Sequence, residues 1–436
     1  MTPQSTFMIT AAVREGSLEK LRQLLVGMND VNAVAHADPH NNLLPFARFD
    51  RLHFARFTII EARTAHEIKE FGVTPRPWRP TLVFLGDFDG DRTEFFAELE
   101  AHAGPGLKEI FSHCEGFSKD NNALLKWMRD HNIKPSANYV NWIGRTVKQV
   151  HEEAALHNSL AEYLQEIVET VGRENTRVLR QKLLSHVELE KHAGRLSLTP
   201  PEPTPTGWKI RNALHKYGVP LVLLLLTPVF LLIAPFFAIR LRWLERTEPE
   251  LYIRPKREHI EELASQEDFD VTNQYNVFGD VKPGIFRLLT FKFFIFLTDY
   301  FARHVYNRGN LARIRTIHFA RWVFMDNNHR AFFASNYDGS HESYMDDFIN
   351  KAGFGLNLTF CNAVGYPRTK WIIKQGAQRE QPFKYTQRRH QLPSEVWYKA
   401  YPGLTATDIA RNSRIRKGVE FRQPDKAAIR EWLSLI

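Results

Sequence analysis

Two stretches of the chain, one in each half, show the apolar periodicities of strands and helices. In the first half the predicted elements are a strand at 6–13, a helix at 16–28, strands at 50–62 and 80–88, and a helix at 91–104. In the second half they are a strand at 273–283, a long aromatic helix at 284–308, strands at 315–326 and 329–338, and a helix at 340–352. The segment 106–117 fits either the end of a helix or a fourth strand.

The two stretches are copies of each other. The string LHFARFTI (52–59) returns as IHFARWVF (317–324), and residues 82–117 align without a gap with residues 331–366. Each copy follows the β-α-β-β-α-β order of a ferredoxin-like unit, whose sheet has one face covered by helices and one face bare. We therefore expect an α+β fold in which two tandem sheets pack face to face, related by an approximate two-fold axis.

This duplication divides the chain into four parts. They are a first repeat (1–145), a helical segment with a Pro-rich linker (146–207), a membrane anchor with basic flanks (208–250), and a second repeat with an aromatic helix and a basic tail (251–436).

The anchor contains an uncharged apolar run at 217–239, and about 20 apolar residues suffice to cross a bilayer as a helix. A single span would separate the repeats and keep their sheets apart. Pro228 and Pro235 interrupt the run. Both flanks are basic, which favours a re-entrant anchor with both ends in the cytoplasm. A Pro-kinked single span is the alternative, because membrane helices tolerate proline.

The remaining composition points to lipid as a partner. The formal net charge of +9 indicates affinity for polyanions. No zinc finger, RNP-like string or helix-turn-helix pattern supports nucleic acid. The helix at 284–308 is expected to lie in the membrane interface, to cover the sheet of the second repeat, or both. The basic tail at 411–426 adds attraction to anionic lipid. Cys114 and Cys361 suit a reducing compartment, and oligomers are possible.

The central strand of each repeat carries candidate chemistry. Strict alternation of side chains puts His53 and Arg56 on opposite faces, and it does the same for His318 and Arg321. Each histidine is either a satisfied core or interface residue, or a ligand or general base in a cavity.

Asp89 and Asp338 each precede a glycine at the end of the next strand. The structural interpretation is a strand-to-helix turn, in which glycine takes a positive φ. Asp91 and Ser340 are then expected to cap the helices that follow.

Two fused ferredoxin-like repeats resemble the dimeric α/β-barrel superfamily, which includes dye-decolourising peroxidases, chlorite dismutase-like haem proteins and cofactor-free monooxygenases. The string GDFDG (86–90) looks like the GxxDG motif of dye-decolourising peroxidases, whereas the second copy, SNYDG, lacks the first glycine. The resemblance implies a pseudo-dimeric α/β barrel. It also gives Asp89 the role of the aspartate that lies over the haem and helps to cleave peroxide.

The same resemblance implies haem as the cofactor, with a histidine of the second repeat as its axial ligand. His318 is the first candidate because it lies on a central strand, and His341 and His390 are the alternatives. Arg321 and Asp338 would be polar partners for peroxide or substrate. The equivalents in the first repeat are His53, Arg56 and Asp89.

Two functions remain open. One is a membrane-associated oxidoreductase, of peroxidase or monooxygenase type, that acts on a lipophilic small molecule. The other is a non-catalytic lipid-binding or scaffold protein of the membrane surface. Fold alone does not decide between them, but a bound cofactor and a polar cavity beside His318 or His53 would.

Overall fold

Two four-stranded antiparallel sheets form the framework of an α+β fold in the computed structural model, which describes residues 1–118, 123–173, 175–421 and 425–436. The strands are β1 (Gln4–Ala12), β2 (Leu52–Ile60), β3 (Thr81–Asp89), β4 (Ala137–Val140), β5 (Thr272–Asp280), β6 (Ile317–Met325), β7 (Arg330–Asp338), β8 (Thr369–Lys370), β9 (Lys374–Gln375) and β10 (Val396–Lys399). The helices of the first half and the anchor are α1 (Leu18–Val26), α2 (Arg92–Phe111), α3 (Leu124–Asp130), α4 (Val147–Val171), α5 (Thr176–His192), α6 (Thr206–Leu225) and α7 (Thr227–Thr247). Those of the second half are α8 (Arg257–Ala264), α9 (Ile285–His304), α10 (His341–Phe360), α11 (Glu380–His390), α12 (Ala406–Glu420) and α13 (Lys426–Leu433). Residues 422–424 of the basic tail lie outside the described part of the chain.

The strands and helices predicted in the two repeats are present, and most of their ends differ by a few residues. The largest differences are in α10, which continues to Phe360, and in α2, which continues through Pro105 to Phe111. Residues 106–111 are therefore the end of a helix. Asp91 and Ser340 cap α2 and α10 as predicted, because each side chain accepts a hydrogen bond from a backbone N–H of the first turn.

Each sheet takes its fourth strand from the other half of the chain. Sheet 1 has the strand order β1-β3-β2-β10, and sheet 2 has the order β4-β6-β7-β5. In sheet 2, β4 of the first half pairs with β6, with Ala137 opposite Trp322. In sheet 1, β10 of the second half pairs with β2, with Val396 opposite Phe57. The predicted pairing is therefore wrong for the last strand of each repeat, since that strand completes the other repeat's sheet.

A β-bulge in each central strand brings the histidine and the arginine to the same face. The register shifts by one residue at His53 in β2 and at His318 in β6. A bulge adds one residue to one strand and so resets the alternation of faces. His53 and Arg56 both face the other sheet, as do His318 and Arg321. The prediction of opposite faces is therefore wrong in both repeats.

Three layers fill the space between the two sheets. At one end Met8 and Leu85 of sheet 1 meet Phe278 and Phe332 of sheet 2 in an apolar cluster. The middle layer is polar and holds the arginines, and the other end is aromatic and holds the histidines. Helices α1, α2 and α3 cover the outer face of sheet 1, and α9 and α10 cover that of sheet 2.

The apolar run of the anchor forms two consecutive helices, α6 and α7, that lie along α9. Near one end Tyr300 Oη donates a hydrogen bond to Lys216 O at 2.9 Å. Near the other end the ring of Phe237 is 5.1 Å from that of Phe286. Among the described residues, α7 is the one helix that is long and apolar enough to cross a membrane, by length and composition.

Candidate functional site

A histidine–aspartate pair lies at matching positions of the two halves. His53 Nε2 is 3.0 Å from Asp89 Oδ1, and His318 Nε2 is 2.7 Å from Asp338 Oδ1. All four side chains are buried. Each pair joins a central strand to the turn that ends the next strand, where the glycine has a φ of 91° in the first copy and 83° in the second. The fold thus brings together the predicted histidine and aspartate of each repeat.

The second carboxylate oxygen of each aspartate holds the start of a helix. Asp89 Oδ2 accepts a hydrogen bond from Val147 N at 2.8 Å, at the first residue of α4. Asp338 Oδ2 accepts one from Ala406 N at 2.7 Å, at the first residue of α12. The first N–H groups of a helix have no partner within the helix, and negative charge there is favourable. Each aspartate therefore links a strand, a histidine and a helix, which favours the structural interpretation of the pair.

Tyr401 belongs to this site, and the sequence analysis missed it. Its hydroxyl oxygen is 3.2 Å from His53 Nδ1, and its ring is 6.3 Å from that of His318. Burial raises the pKa of Tyr401 well above its usual value, so its phenol is neutral. A signal was present, because YKAYPGLT (398–405) resembles YVNWIGRT (139–146) and both strings lead into the helices that the aspartates hold.

Arg56 and Arg321 cross between the sheets in a reciprocal way. Arg56 of sheet 1 donates to the side chain of Asn336 and to main-chain carbonyls of sheet 2. Arg321 of sheet 2 donates to the side chain of Asp87 and to main-chain carbonyls of sheet 1. Asn336 and Asp87 are matched positions of the duplication. The two halves therefore make the same contact twice, with a carboxylate in one copy and an amide in the other.

This polar layer keeps two guanidinium groups and one carboxylate away from water. Burial, together with repulsion from Arg321, lowers the pKa of Arg56 to about 9. Burial raises the pKa of Asp87, although both arginines act against this rise. Because the guanidinium groups are used in contacts between the sheets, their role as partners for peroxide or substrate stays a prediction.

The residues around His318 do not fit a haem. An axial ligand needs a nitrogen that faces an open pocket, but His318 uses Nε2 for a carboxylate, is 2% exposed, and packs 5.4 Å from the ring of Phe54. His390 Nε2 is 3.2 Å from Glu67 Oε2, beside a cavity of about 40 Å³. His341 is buried as well. Within the described ranges, no group of three or more His, Cys, Asp or Glu residues could hold a metal ion.

A second region of interest is an apolar surface on α6, α7 and α9. Its exposed residues, which define the apolar surface below, are Leu214, Tyr217, Leu221, Val222, Leu224, Leu225, Val229, Leu231, Leu232, Ile233, Phe236, Ile239, Ile285, Leu289, Phe293 and Phe296. The rings of Phe230 and Phe293, 6.0 Å apart, join the anchor helices to α9 within it. Exposed apolar patches of this extent mark sites of contact with a partner or a membrane.

Both ends of the α6–α7 pair are held by the same folded body. Before the apolar run, His215 Nδ1 is 2.8 Å from His304 Nε2 of α9. After it, the buried Glu245 accepts hydrogen bonds from Thr369 Oγ1 at 2.9 Å and from Ile372 N at 2.7 Å. The chain therefore returns to the body that it leaves, a geometry compatible with the re-entrant interpretation.

No protein-family model, curated protein or solved structure matches the chain significantly. The likeness to dye-decolourising peroxidases thus depends on the string at 86–90 and on the expected architecture, and it stays a prediction. Function has to be argued from the buried pairs and from the apolar surface.

Proposed function

We propose that the protein is a non-catalytic lipid-binding or scaffold protein that attaches to the cytoplasmic face of a membrane through its apolar surface. The helices α6 and α7 and the outer side of α9 lie in one leaflet, while the two sheets stay in water. The observation that carries this proposal is the exposure of the apolar surface on helices whose two ends are bound to one folded body.

The energy available from immersion supports the proposal. Leu231, Leu232 and Phe236 are each 69–72% exposed. Full burial of one such side chain stabilises by about 1.5–3 kcal/mol. Because about 0.7 of each side chain is exposed and can still be buried, these three together contribute roughly 3–6 kcal/mol. At the edge of the apolar surface, the guanidinium of Arg240 lies 4.4 Å from the ring of Trp243. Tryptophan and arginine are typical of the membrane–water interface.

We infer further that the body is a pseudo-dimeric α/β barrel built from two tandem ferredoxin-like repeats. Three reciprocal features support this inference. They are the exchange of β4 and β10, the two histidine–aspartate pairs, and the two arginines that cross between the sheets. In this arrangement the duplicated residues stabilise the contact between the repeats.

The oxidoreductase hypothesis has less support, because the histidines face packed side chains and carboxylates. It stays a prediction that a visible spectrum tests directly. A Soret band in protein made with ample haem, lost in His318→Ala, would make the oxidoreductase hypothesis the leading one and count against the non-catalytic proposal.

Flotation with lipid vesicles tests the proposed attachment. The variant Leu232→Asp with Phe236→Asp should bind vesicles at least about 30-fold more weakly than the wild type, since two apolar side chains no longer enter the lipid. The matched control, Val31→Asp with Leu189→Asp, changes two exposed apolar residues outside the apolar surface and should bind as the wild type does. Equal loss in both variants, or no vesicle binding by the wild type, would refute the proposal.

A further inference from the structure

A pocket of about 330 Å³ lies at the start of α6, where the apolar surface begins. Its polar and aromatic lining consists of Gln4, Asn138, Trp208, Arg211, Asn212 and Arg303. No carboxylate is among the described residues that line it. Pockets for small ligands measure about 300–1,000 Å³. The pocket is thus large enough for a small ligand and presents two guanidinium groups, three amides and an indole.

This lining is not a general property of the clefts in this basic protein. A second cleft, of about 460 Å³, lies beside the Asp-Gly turn of the first half. Its charged lining consists of Asp50, Asp89, Glu94, Glu98 and Glu202 with Arg51 and Lys148. The acidic cleft would repel an anion, whereas the pocket at α6 would attract one.

The amide of Gln4 already donates to Asp89 Oδ1 at 3.2 Å and to Arg145 O, whereas the guanidinium of Arg303 is only loosely engaged by protein groups. Arg303 is 3.6 Å from Asp299, whose carboxylate also accepts a hydrogen bond from Asn138 N at 3.2 Å. The side-chain oxygen Oδ1 of Asn138 is buried and has no hydrogen-bond partner among the described residues.

The pocket lies at the depth of lipid headgroups if the apolar surface is immersed. Arg211 precedes the exposed Tyr217 by six residues, which is about 9 Å along a helix. Trp208, one turn earlier, is of a residue type enriched at membrane interfaces. Basic side chains at this level meet phosphates rather than acyl chains.

We propose that this pocket binds the phosphate of an anionic phospholipid headgroup. The inference rests on the proposed membrane attachment and gives it a lipid preference. Arginine forms paired, charge-assisted hydrogen bonds with phosphate oxygens, and the amide of Asn212 adds a neutral donor. A free phosphate ion offers the same oxygen atoms, so the experiment has to separate these two sources.

The test compares binding to two kinds of vesicle, one of phosphatidylcholine and one of phosphatidylcholine mixed with phosphatidylglycerol. Three variants of the full chain are compared with the wild type. Arg211→Gln with Arg303→Gln removes both charges, and Asn212→Leu replaces one amide of the pocket by an apolar side chain at unchanged net charge. The control, Arg48→Gln with Arg129→Gln, removes two exposed charges of the first half. Thermal unfolding with and without inorganic phosphate measures binding of the free ion.

The wild type should prefer the anionic vesicles, and the double Arg→Gln variant of the pocket should lose roughly 30-fold of that preference. Asn212→Leu should lose a large part of it while it binds neutral vesicles as well as the wild type does. Diffuse attraction would leave the preference of Asn212→Leu for anionic vesicles unchanged. It would also reduce that preference equally in the arginine variants of the pocket and of the control, and this result would overturn the inference. Stabilisation by inorganic phosphate without any vesicle preference would assign the pocket to the free ion. No binding to either vesicle by the wild type would instead refute the proposed attachment.

Discussion

Moving one buried carboxylate between the halves tests whether the two sheets form a reciprocal interface. Asp87→Asn removes the carboxylate that Arg321 binds, and leaves two buried guanidinium groups in the middle layer. Asn336→Asp introduces a carboxylate at the matched position, in contact with Arg56. The double variant keeps the charge of the layer and moves the carboxylate to the other half.

The expected magnitude follows from the burial of these groups. Asp87 and Arg321 are 1% and 2% exposed. Removal of one partner of a buried ion pair costs about 3–5 kcal/mol, because the remaining charge is left uncompensated. Asp87→Asn should therefore lower the free energy of unfolding by about that amount. In the double variant Arg56 gains a carboxylate, so most of this loss should be recovered.

Urea unfolding in mild detergent, followed by tryptophan fluorescence, gives the four free energies of the cycle. A matched control is Asp130→Asn, an exposed aspartate paired with Lys126, which should change stability by less than about 1 kcal/mol. The reasoning is refuted if Asp87→Asn behaves like this control. It is equally refuted if Asn336→Asp fails to restore stability in the double variant, because the two positions would then not be equivalent.

Three further predictions concern the pH dependence of stability and the contacts that hold α4 and α6. Burial opposes the charge of Glu67, but hydrogen bonds from His390 and a neighbouring arginine lower its pKa from 4.5 to about 2. The ionised Glu67 thus contributes about 3 kcal/mol to the free energy of unfolding, a contribution that is present above pH 4.5 and lost as the pH falls towards 2. In Glu67→Gln the free energy of unfolding, measured with urea at each pH, should therefore fall less over this range. Asp89→Asn removes the charge at the start of α4 and should cost about 1–3 kcal/mol, with faster amide exchange in the first turn of that helix. Burial and the neighbouring His215 lower the pKa of His304 from 6.5 to about 4. Their contact is therefore stable above pH 6.5 and lost as the pH falls through 4, so amides of α6 should exchange faster in acid. His304→Asn should weaken this dependence without abolishing it, because burial lowers the pKa of His215 as well.

The apolar pattern and the duplication predicted most of the framework, but not the exchange of fourth strands. The strands β4 and β10 contain four residues each, which is too short for an alternating pattern to be distinctive. Their pairing also depends on contacts between residues far apart in the chain, such as Ala137 and Trp322. Local periodicity contains no information about such partners.

The candidate site was predicted in part. The duplication identified the histidine and aspartate of each repeat, and these are in contact. It placed His53 and Arg56 on opposite faces because strict alternation assumes a regular strand, and a bulge cannot be read from alternation alone. Tyr401 was missed because YKAYPGLT (398–405) and YVNWIGRT (139–146) share only a Tyr, a Gly and a Thr, and Tyr401 itself is matched by Trp142. The apolar run was identified, whereas its path along α9 depends on contacts such as that between Phe237 and Phe286.

The central claim is that the apolar helices enter and leave the membrane on the same side, and cysteine labelling tests it most directly. Burial raises the pKa of the Cys361 thiol to about 11 and that of Cys114 to about 12, so neither native cysteine should react readily. Ser197→Cys and Thr247→Cys place exposed thiols before α6 and at the end of α7. In sealed vesicles a membrane-impermeant maleimide should label both thiols from the same side and to the same extent. Labelling of one thiol from outside, with the other reactive only after the membrane is permeabilised, would show a single span and contradict the account.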